Sequence, residues 1–263
     1  MITAKLKGGL GNQLYQIAAA YSLAKKHNQE FFINYELEHG AMQGRHPKSY
    51  KTNLFKNFKS SDDKVDMMYI ERKFRHHEIP FVPDTTYAID GYFQSYLYFK
   101  DIINELREKI TFTDTDPNKV NLDEKVKTRL DKFRNEGKHV IGVHTRGGDY
   151  KLNPDIFPIP SEKYYRRAMS KFNPDNTVYL YCTDDVQTLS QFTFDKNNIH
   201  VNGDELLEFC ILSHCDSLIM ANSSFSAWAS YLVKDKYQVF CPKVWFGKSV
   251  DATDLYDPSW TIL

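Results

Sequence analysis

Three short polar stretches in the second half of the chain hold residue types that could bind a phosphorylated ligand. They are HTRGGDY at 144–150, CTDD at 182–185 and NSSFS at 222–226. Arg146 in the first stretch stays charged and could bind a diphosphate through paired donors, and Asp149 could accept a proton or orient a hydroxyl. A structural ion pair between Arg146 and Asp149 explains the same spacing, so the stretch alone leaves both interpretations open.

The other two stretches also have more than one interpretation. Asp184 and Asp185 could bind a metal ion or accept hydrogen bonds from the N–H groups of a guanine, and Thr183 or Asp184 could instead cap a helix. The serines of NSSFS precede a predicted helix, whose first amides could help them bind a phosphate. An ordinary helix cap is the alternative for this stretch.

A glycine-rich stretch near the amino end, GGLGNQ at 8–13, follows a short apolar segment. It is not a Walker A loop, because no GKS or GKT follows, and Leu14 occupies the third glycine position of a dinucleotide fingerprint. The glycines still allow an anion to approach the backbone, and Asn12 could cap the following helix. Taken alone, the stretch is most simply a tight turn between a strand and a helix.

Apolar periodicity predicts two α/β halves that position these stretches. Strands at 2–6 and 31–36 flank a helix and form a βαβ unit, which implies a parallel sheet. We also predict a strand followed by a turn over 85–95, and strands near 139–145, 177–183, 217–221 and 237–242. Helices are predicted near 96–110, 122–135, 204–216 and 224–234. The three polar stretches each follow a predicted strand, so they could line one crevice at the carboxyl ends of a parallel sheet.

Composition narrows the class of protein. Lysine plus arginine and aspartate plus glutamate both number 34 in 263 residues, which argues against a nucleic-acid partner bound by phosphate neutralisation. Asp114 and Asp116 form a D-x-D in the polar linker at 111–121, where a metal role is not favoured, and we expect no bound metal. The four cysteines lack zinc spacing and are expected to be reduced; they are Cys182, Cys210, Cys215 and Cys241.

The chain has no predicted signal peptide and no apolar run near the ~20 residues of a membrane span. We therefore expect a cytoplasmic protein with no transmembrane segment. Peripheral association with the inner face of a membrane stays open.

The ordered set of motifs resembles the α-1,2-fucosyltransferase family. The matching stretches are GGLGNQLYQIA (8–18), GYFQSYLYF (91–99), HTRGGDY, CTDD, NSSFSAWASYL (222–232), PKVWFG (242–247) and DLYDPSW (254–260). The resemblance implies inverting, metal-independent transfer of L-fucose from GDP-fucose to the 2-hydroxyl of a galactoside, in cell-surface glycan synthesis and without a cofactor. It also implies an α/β fold of the GT-B type, with two Rossmann-like domains facing a cleft.

The resemblance assigns roles to the domains and to single residues. Domain 1–118 would bind the glycan acceptor and offer GGLGNQ, and domain 119–263 would bind the nucleotide sugar. Arg146, Asp149 and Asp155 are the expected catalytic residues, with Asp149 ahead of Asp155 as the base. The expected donor-binding residues are Gly9, Gly11, Asn12, Gln13, His144, Arg146, Thr183, Asp184, Asp185, Asn222, Ser223, Ser224, Phe225 and Ser226.

One departure from the family pattern affects these expectations. The family usually has H-x-R-R-G-D, whereas Gly147 stands at the second arginine position here, with Lys151 as a candidate substitute. A different nucleotide sugar or a non-catalytic binding protein therefore stays open. The stretch 39–84 matches the family least and is expected to shape the acceptor site, with Arg45, His46, Tyr50, His76 and His77 as candidates.

Overall fold

The computed structural model describes residues 1–37, 44–190, 198–232, 237–247 and 250–263. The chain divides into two compact units. The first comprises Met1–Lys119 with Ala252–Asp257, and the second comprises Val120–Asp251 with Pro258–Leu263. The return of six late residues to the first unit is not among the predicted features.

The first unit contains a three-stranded parallel sheet. Its elements are β1 (Ile2–Ala4), α1 (Leu10–Lys26), β2 (Met67–Ile70), β3 (Tyr87–Asp90) and α2 (Ile103–Lys109). The strand order is β1-β3-β2. The predicted strand over 31–36 is wrong in extent, because this stretch forms only isolated bridges, from Phe31 to Ile2 and from Ile33 to Ser60. The predicted helix over 96–110 divides into a 3-10 turn at Tyr96–Tyr98 and α2.

Helix α1 is almost entirely buried, because small and apolar residues occupy most of its surface. Leu14, Ile17 and Ala18 are each 0% exposed. The helix begins at Leu10 with Gly9 as its N-cap, so Asn12 lies inside the first turn and the prediction that it caps the helix is wrong.

The second unit contains a six-stranded parallel sheet. Its elements are α3 (Leu122–Asn135), β4 (His139–Thr145), α4 (Glu162–Met169), β5 (Thr177–Thr183), α5 (Val186–Ser190), β6 (Asn198–His200), α6 (Glu205–His214), β7 (Ser217–Ile219), α7 (Ser224–Leu232), β8 (Gln238–Cys241) and β9 (Thr261–Ile262). The predicted bounds of α3, β4 and β5 are confirmed. Elements α4, α5, β6 and β9 are not among those predicted, and the last two predicted residues of α7 lie outside the described ranges.

The strand order of the second sheet is β6-β5-β4-β7-β8-β9. This is the doubly wound arrangement, in which the strand order reverses between β4 and β7. The seven residues of β5 and the last six of β4 are all buried, as expected for central parallel strands covered on both faces. Ile141, Tyr165 and Phe240 belong to the core beside them. Ligands of such sheets bind at the reversal point, beyond the carboxyl ends of the strands.

No helix among the described residues is long and apolar enough to cross a membrane. The four cysteines are free and buried, as predicted.

Candidate active site

The three polar stretches of the second unit meet at the carboxyl edge of its sheet. Arg146, just after β4, forms an ion pair with Asp184, just after β5, at 3.1 Å. The hydroxyl of Tyr150 donates to the backbone oxygen of Asn222, beyond the end of β7, at 2.8 Å. The strand reversal point is therefore surrounded by the residues expected to bind the donor.

Arg146 is held between two carboxylates. One terminal nitrogen donates to Asp149 Oδ1 at 2.7 Å and the other lies 3.1 Å from Asp184 Oδ2. Burial disfavours the cation, but Asp184 and Asp149 outweigh it and raise the pKa of Arg146 above its usual value. The guanidinium lies 5.3 Å from the ring centre of Tyr150, and the side chain stays 24% exposed. The site thus keeps a permanent cation in a fixed position.

The two glycines after Arg146 let the backbone approach Asp184 closely. The amide of Gly147 donates to Asp184 Oδ1 at 3.0 Å, and a Cβ on Gly148 would lie 2.5 Å from Asp184 Oδ2. Both oxygens of Asp184 are therefore engaged by the protein. Lys151 forms an ion pair with Asp185, so the candidate substitute for the second arginine is itself engaged.

The aspartates after β5, which are expected to recognise guanine, also hold two cationic side chains of the protein in place. Asp184 fixes Arg146, and Asp185 fixes Lys151. Thr183 Oγ1 accepts a hydrogen bond from the backbone amide of Asp185 at 3.0 Å, so the Thr183 side chain stabilises the turn after β5. The contact of these aspartates with guanine stays a prediction.

His144 is buried and neutral. Burial, and then the nearby charge of Arg146, lower its pKa to about 3. The residue is 3% exposed, and its ring packs against Phe225 with ring centres 5.4 Å apart. Its neutral form leaves one ring nitrogen as an acceptor and the other as a donor.

The NSSFS stretch supplies both structural and accessible groups. The amide nitrogen of Asn222 donates to Pro158 and Trp245 carbonyls at 2.9 and 2.8 Å, and Asn222 is 0% exposed. The hydroxyl of Ser226, also fully buried, donates to backbone oxygens within its own turn. Direct donor binding by these two side chains is therefore not supported.

The neighbours of these residues in NSSFS differ in exposure. Ser223 is buried, and its hydroxyl accepts from the amide of Phe225, as a helix cap would. Ser224 and Phe225 are half-buried at the start of α7. These two keep the role of candidate donor contacts.

Several buried polar atoms at this edge have no hydrogen-bond partner among the described residues. They are His144 Nδ1, Thr145 Oγ1, Arg146 Nε and Asn222 Oδ1. Buried polar groups in proteins are ordinarily paired, so each exception requires an explanation. All four follow or end the strands β4 and β7, where the strand order reverses, and such a concentration is typical of a site that binds a polar ligand.

The two candidate bases differ in their surroundings. Asp149 accepts from Arg146 and is about a third exposed. Asp155 is exposed and has no side-chain partner among the residues that the structure describes. Asp155 lies in the loop that ends at Phe157. The ring of Phe157 stacks on the ring of Tyr150, with ring centres 5.0 Å apart. Among the described residues, Asp149 is therefore engaged and Asp155 is not.

In the first unit, GGLGNQ forms a turn fixed from within. Gly8 has a φ of +75°, in the left-handed region that favours glycine. Gln13 is fully buried and donates to the carbonyls of Gly8 and Arg45 at 3.0 and 2.9 Å, so its expected contact with the donor is not supported. Asn12 is half-buried, and its side-chain oxygen accepts from Gln94 at 2.6 Å. Gly11 is buried in the first turn of α1, whereas Gly9 is half-buried.

Glu71, which the sequence reasoning missed, fixes the turn that carries Gln94. Its carboxylate accepts from the amides of Tyr92 at 2.6 Å and Phe93 at 3.2 Å. Phe93 has a φ of +48°, so the turn is strained without such support. Nothing in the surrounding sequence distinguishes Glu71 from the other charged residues of 39–84.

The candidate acceptor residues of the first unit divide by burial. Tyr50 is 0% exposed and packs edge-on against Phe55, so a contact of its side chain with the acceptor is not supported. His77 is fixed by the hydroxyl of Tyr69 at 2.8 Å, and the amide of His76 donates to Asp254 at 2.9 Å. Arg45 and His46 are exposed.

Within the described ranges, one cluster of residue types that can bind a metal occurs, and it lies in the second unit. Asp123, Cys210 and His214 bring their ligand atoms within 4.8 Å of one another. Both ring nitrogens of His214 already face acceptors, Asp123 Oδ1 at 2.8 Å and the Cys210 carbonyl at 2.7 Å. Burial raises the pKa of the Cys210 thiol, which keeps it protonated. The arrangement fits a hydrogen-bonded ion pair better than a metal site.

The whole chain matches one protein family. Residues 1–263 match the model described as Glycosyl transferase family 11. The chain is 26% identical to an α-1,2-colitosyltransferase of Escherichia coli, over 98% of this chain and 96% of that protein. It is 22% identical to a galactoside α-(1,2)-fucosyltransferase 2 of Oryctolagus cuniculus, over 88% of this chain and 67% of that protein.

A solved structure shares the fold. The crystal structure of fucosyltransferase NodZ from Bradyrhizobium aligns with a TM-score of 0.54 at 16% identity, over 88% of this chain and 93% of that chain. The predicted α/β fold of the GT-B type is thereby confirmed. With the family match over its full length, the chain belongs to glycosyl transferase family 11.

Proposed function

We propose that this glycosyltransferase transfers L-fucose from GDP-fucose to the 2-hydroxyl of a galactoside, with inversion and without a metal ion. The observation that carries the proposal is the fixed cation of Arg146 among unpaired buried polar atoms at the strand reversal point. The names of the α-1,2-transferring relatives support the linkage and the sugar class. The nucleotide diphosphate lies at the carboxyl edge of the second sheet in this proposal.

Arg146 stabilises the leaving GDP. Negative charge grows on the diphosphate as the glycosidic bond breaks, and groups already oriented toward that charge lower the barrier most. Asp149 and Asp184 orient the guanidinium before the reaction, so little reorganisation is required. The neutral ring of His144 and the first amides of α7 add hydrogen bonds to the phosphates.

Asp155 accepts the proton of the acceptor hydroxyl, and Asp149 is a positioning residue for Arg146. Asp149 would have to leave the guanidinium to act as a base, whereas Asp155 is exposed without a competing partner among the described residues. Inverting transfer requires a base only on the face opposite the leaving group. Because the transition state is oxocarbenium-like, stabilisation of the leaving diphosphate lowers the barrier more than the strength of the base does.

The E. coli relative favours a second candidate, transfer of colitose. Colitose is L-fucose that lacks the 3-hydroxyl. A site that binds the 3-hydroxyl through a buried polar group rejects the deoxy sugar strongly, whereas a site without such a group accepts both. Rates with the two GDP-sugars therefore separate the candidates.

The test is an acceptor screen. Purified protein is incubated with GDP-fucose or GDP-colitose and a panel of β-galactosides, with and without EDTA, and the product linkage is determined by NMR. We expect an α-1,2 linkage to galactose from GDP-fucose, at an unchanged rate in EDTA. A folded protein that transfers neither sugar to any acceptor overturns the proposal, and loss of transfer in EDTA overturns its metal-free part.

A further inference from the structure

Strand β2 is an open edge of the sheet in the first unit. The strand order β1-β3-β2 leaves one side of β2 without a neighbouring strand among the described residues. The opposite edge differs, because β1 is bridged to Phe31 through Ile2. The open edge also exposes apolar side chains, since Met67 is 45%, Met68 41% and Ile70 64% exposed. An apolar edge of this kind is a template for pairing with the strand of another chain.

The outward backbone groups of β2 belong to Met68 and Ile70. On the side toward β3, the amide of Glu71 donates to the carbonyl of Asp90 at 2.8 Å. Alternate residues of a strand direct their backbone groups to opposite sides, so the N–H and C=O groups of Met68 and Ile70 point away from the sheet. Within the described ranges, no residue pairs with these groups.

One face of this stretch is complementary to itself when a second copy runs in the opposite direction. Because side chains alternate along a strand, a single face carries Asp66, Met68, Ile70 and Arg72. In an antiparallel pair, Asp66 can then oppose Arg72 of the second copy while Met68 opposes Ile70. Both charged residues are exposed, and Arg72 has no ion pair in the part of the chain that the structure describes. Asp66 uses one carboxylate oxygen on the amide of Thr86, at 2.8 Å.

We propose that two copies of this chain pair through β2, antiparallel about a two-fold axis at Tyr69. The two three-stranded sheets then form one continuous sheet. Met68 and Ile70 exchange backbone hydrogen bonds across the axis, and their exposed side chains cover one another. A two-fold axis is the commonest symmetry of soluble oligomers, and it requires a patch that is complementary to itself. The inference does not depend on the proposed function.

The backbone and the charges together select the register. Residues whose backbone groups point outward must oppose each other in an antiparallel pair, so the register can change only in steps of two residues. An axis at Met68 would place Lys64 opposite Arg72, and like charges directly opposite are destabilising. An axis at Ile70 would place Met68 opposite Arg72. The axis at Tyr69 lies between these two and pairs opposite charges at both ends.

Analytical ultracentrifugation of the full chain over a range of concentrations tests the association. Wild type should form a reversible dimer. Ile70→Asp should raise the dissociation constant of the dimer at least about 100-fold, because two symmetry-related carboxylates would lose water without gaining a donor. Ile262→Asp is the matched control, since Ile262 is 50% exposed on β9, the edge strand of the second sheet. It should change the dissociation constant by less than about twofold.

An exchange of charges tests the register. Asp66→Arg and Arg72→Asp should each raise the dissociation constant about tenfold or more, because like charges then oppose each other at both ends of the pair. The double variant Asp66→Arg/Arg72→Asp restores opposite charges at both ends, so it should recover most of the affinity. Circular dichroism of each variant confirms that it is folded.

Cross-linking locates the axis. Opposed residues that do not exchange hydrogen bonds lie about 4.5 Å apart between Cα atoms, which a disulfide can bridge, so Tyr69→Cys should link the two copies under mild oxidation. Met67→Cys, which lies away from the axis, should not.

Three results overturn the inference. The first is a wild type that stays monomeric at every concentration, whatever other partner the edge binds. The second is a dimer that Ile70→Asp leaves intact. The third is a register failure, in which the double charge variant binds no more tightly than the single variants or Met67→Cys cross-links in place of Tyr69→Cys.

Discussion

Replacing Arg146 by alanine separates the two effects of this side chain, on stability and on the leaving group. The substitution removes the hydrogen bond to Asp149 at 2.7 Å and the ion pair with Asp184 at 3.1 Å. It also removes the only charge that we place on the diphosphate. The two effects have different magnitudes and are measured by different assays.

The expected cost in stability is moderate. Breaking a buried ion pair costs about 3–5 kcal/mol, because it leaves an uncompensated buried charge. Arg146 is 24% exposed, so water partly replaces it around Asp149 and Asp184. We expect a loss of about 2 kcal/mol in the free energy of unfolding, measured in urea.

The expected cost in turnover is larger. Loss of one oriented donor to a developing oxyanion lowers kcat by about 10²–10³-fold. Arg146 contributes a full charge and paired donors, so we expect a decrease of about 10³-fold in kcat, or about 4 kcal/mol in the activation barrier. Initial rates with saturating GDP-fucose measure this decrease.

Arg134 is a matched control in the same unit. It donates to Asp131 at 2.8 Å and twice to Asp216, at 2.9 and 2.7 Å, where β4 and β7 begin rather than end. Arg134→Ala should therefore lose comparable stability and keep kcat within about twofold. The reasoning is refuted if Arg146→Ala stays within tenfold of the wild-type kcat, or if Arg134→Ala loses as much turnover.

Three further substitutions test separate parts of the site. Gly148→Ala puts a Cβ 2.5 Å from Asp184 Oδ2, which should move Asp184 away from Arg146. We expect kcat/KM to fall about 10- to 100-fold, and a variant with the wild-type kcat/KM would contradict this. The pKa of His144 in the folded protein is about 3, below its ordinary 6.5, so between these values the unfolded chain binds one more proton than the folded protein. The free energy of unfolding should therefore rise with pH from about 3 to 6.5, by up to about 1.4 kcal/mol per pH unit. His144→Asn should lose that part of the slope in urea unfolding at pH 4 to 7, and an unchanged slope would exclude a buried neutral histidine. Asp155→Asn should lower kcat about 10²-fold with GDP affinity unchanged, and full activity would place the base elsewhere.

The second unit was largely predictable because its central strands are buried on both faces. Strands β4 and β5 consist mostly of apolar residues in a continuous run, which predicts buried strands. Helix α3 is amphipathic and begins at a capping asparagine, which predicts a surface helix. Strand β2 was not predictable, because it is an edge strand whose residues are mostly exposed and lie among charges. Its parallel pairing with β3 is a tertiary effect.

The position of the candidate site was predictable from the sequence, but the role of each side chain in it was not. Polar stretches after parallel strands indicate where a ligand binds. Asn222 and Gln13 have the same hydrogen-bonding groups whether they bind a donor or pair with backbone carbonyls, and only their burial decides between these roles.

The return of Ala252–Asp257 to the first unit affects how the protein is made on the ribosome. Leu255, in this segment, is 1% exposed, so its place in the first unit is internal. At about 5–20 residues per second, translation of residues 120–251 takes roughly 7 to 26 s, and Leu255 follows only after that. The first unit therefore emerges early but lacks its last buried apolar residue until the second unit has been translated.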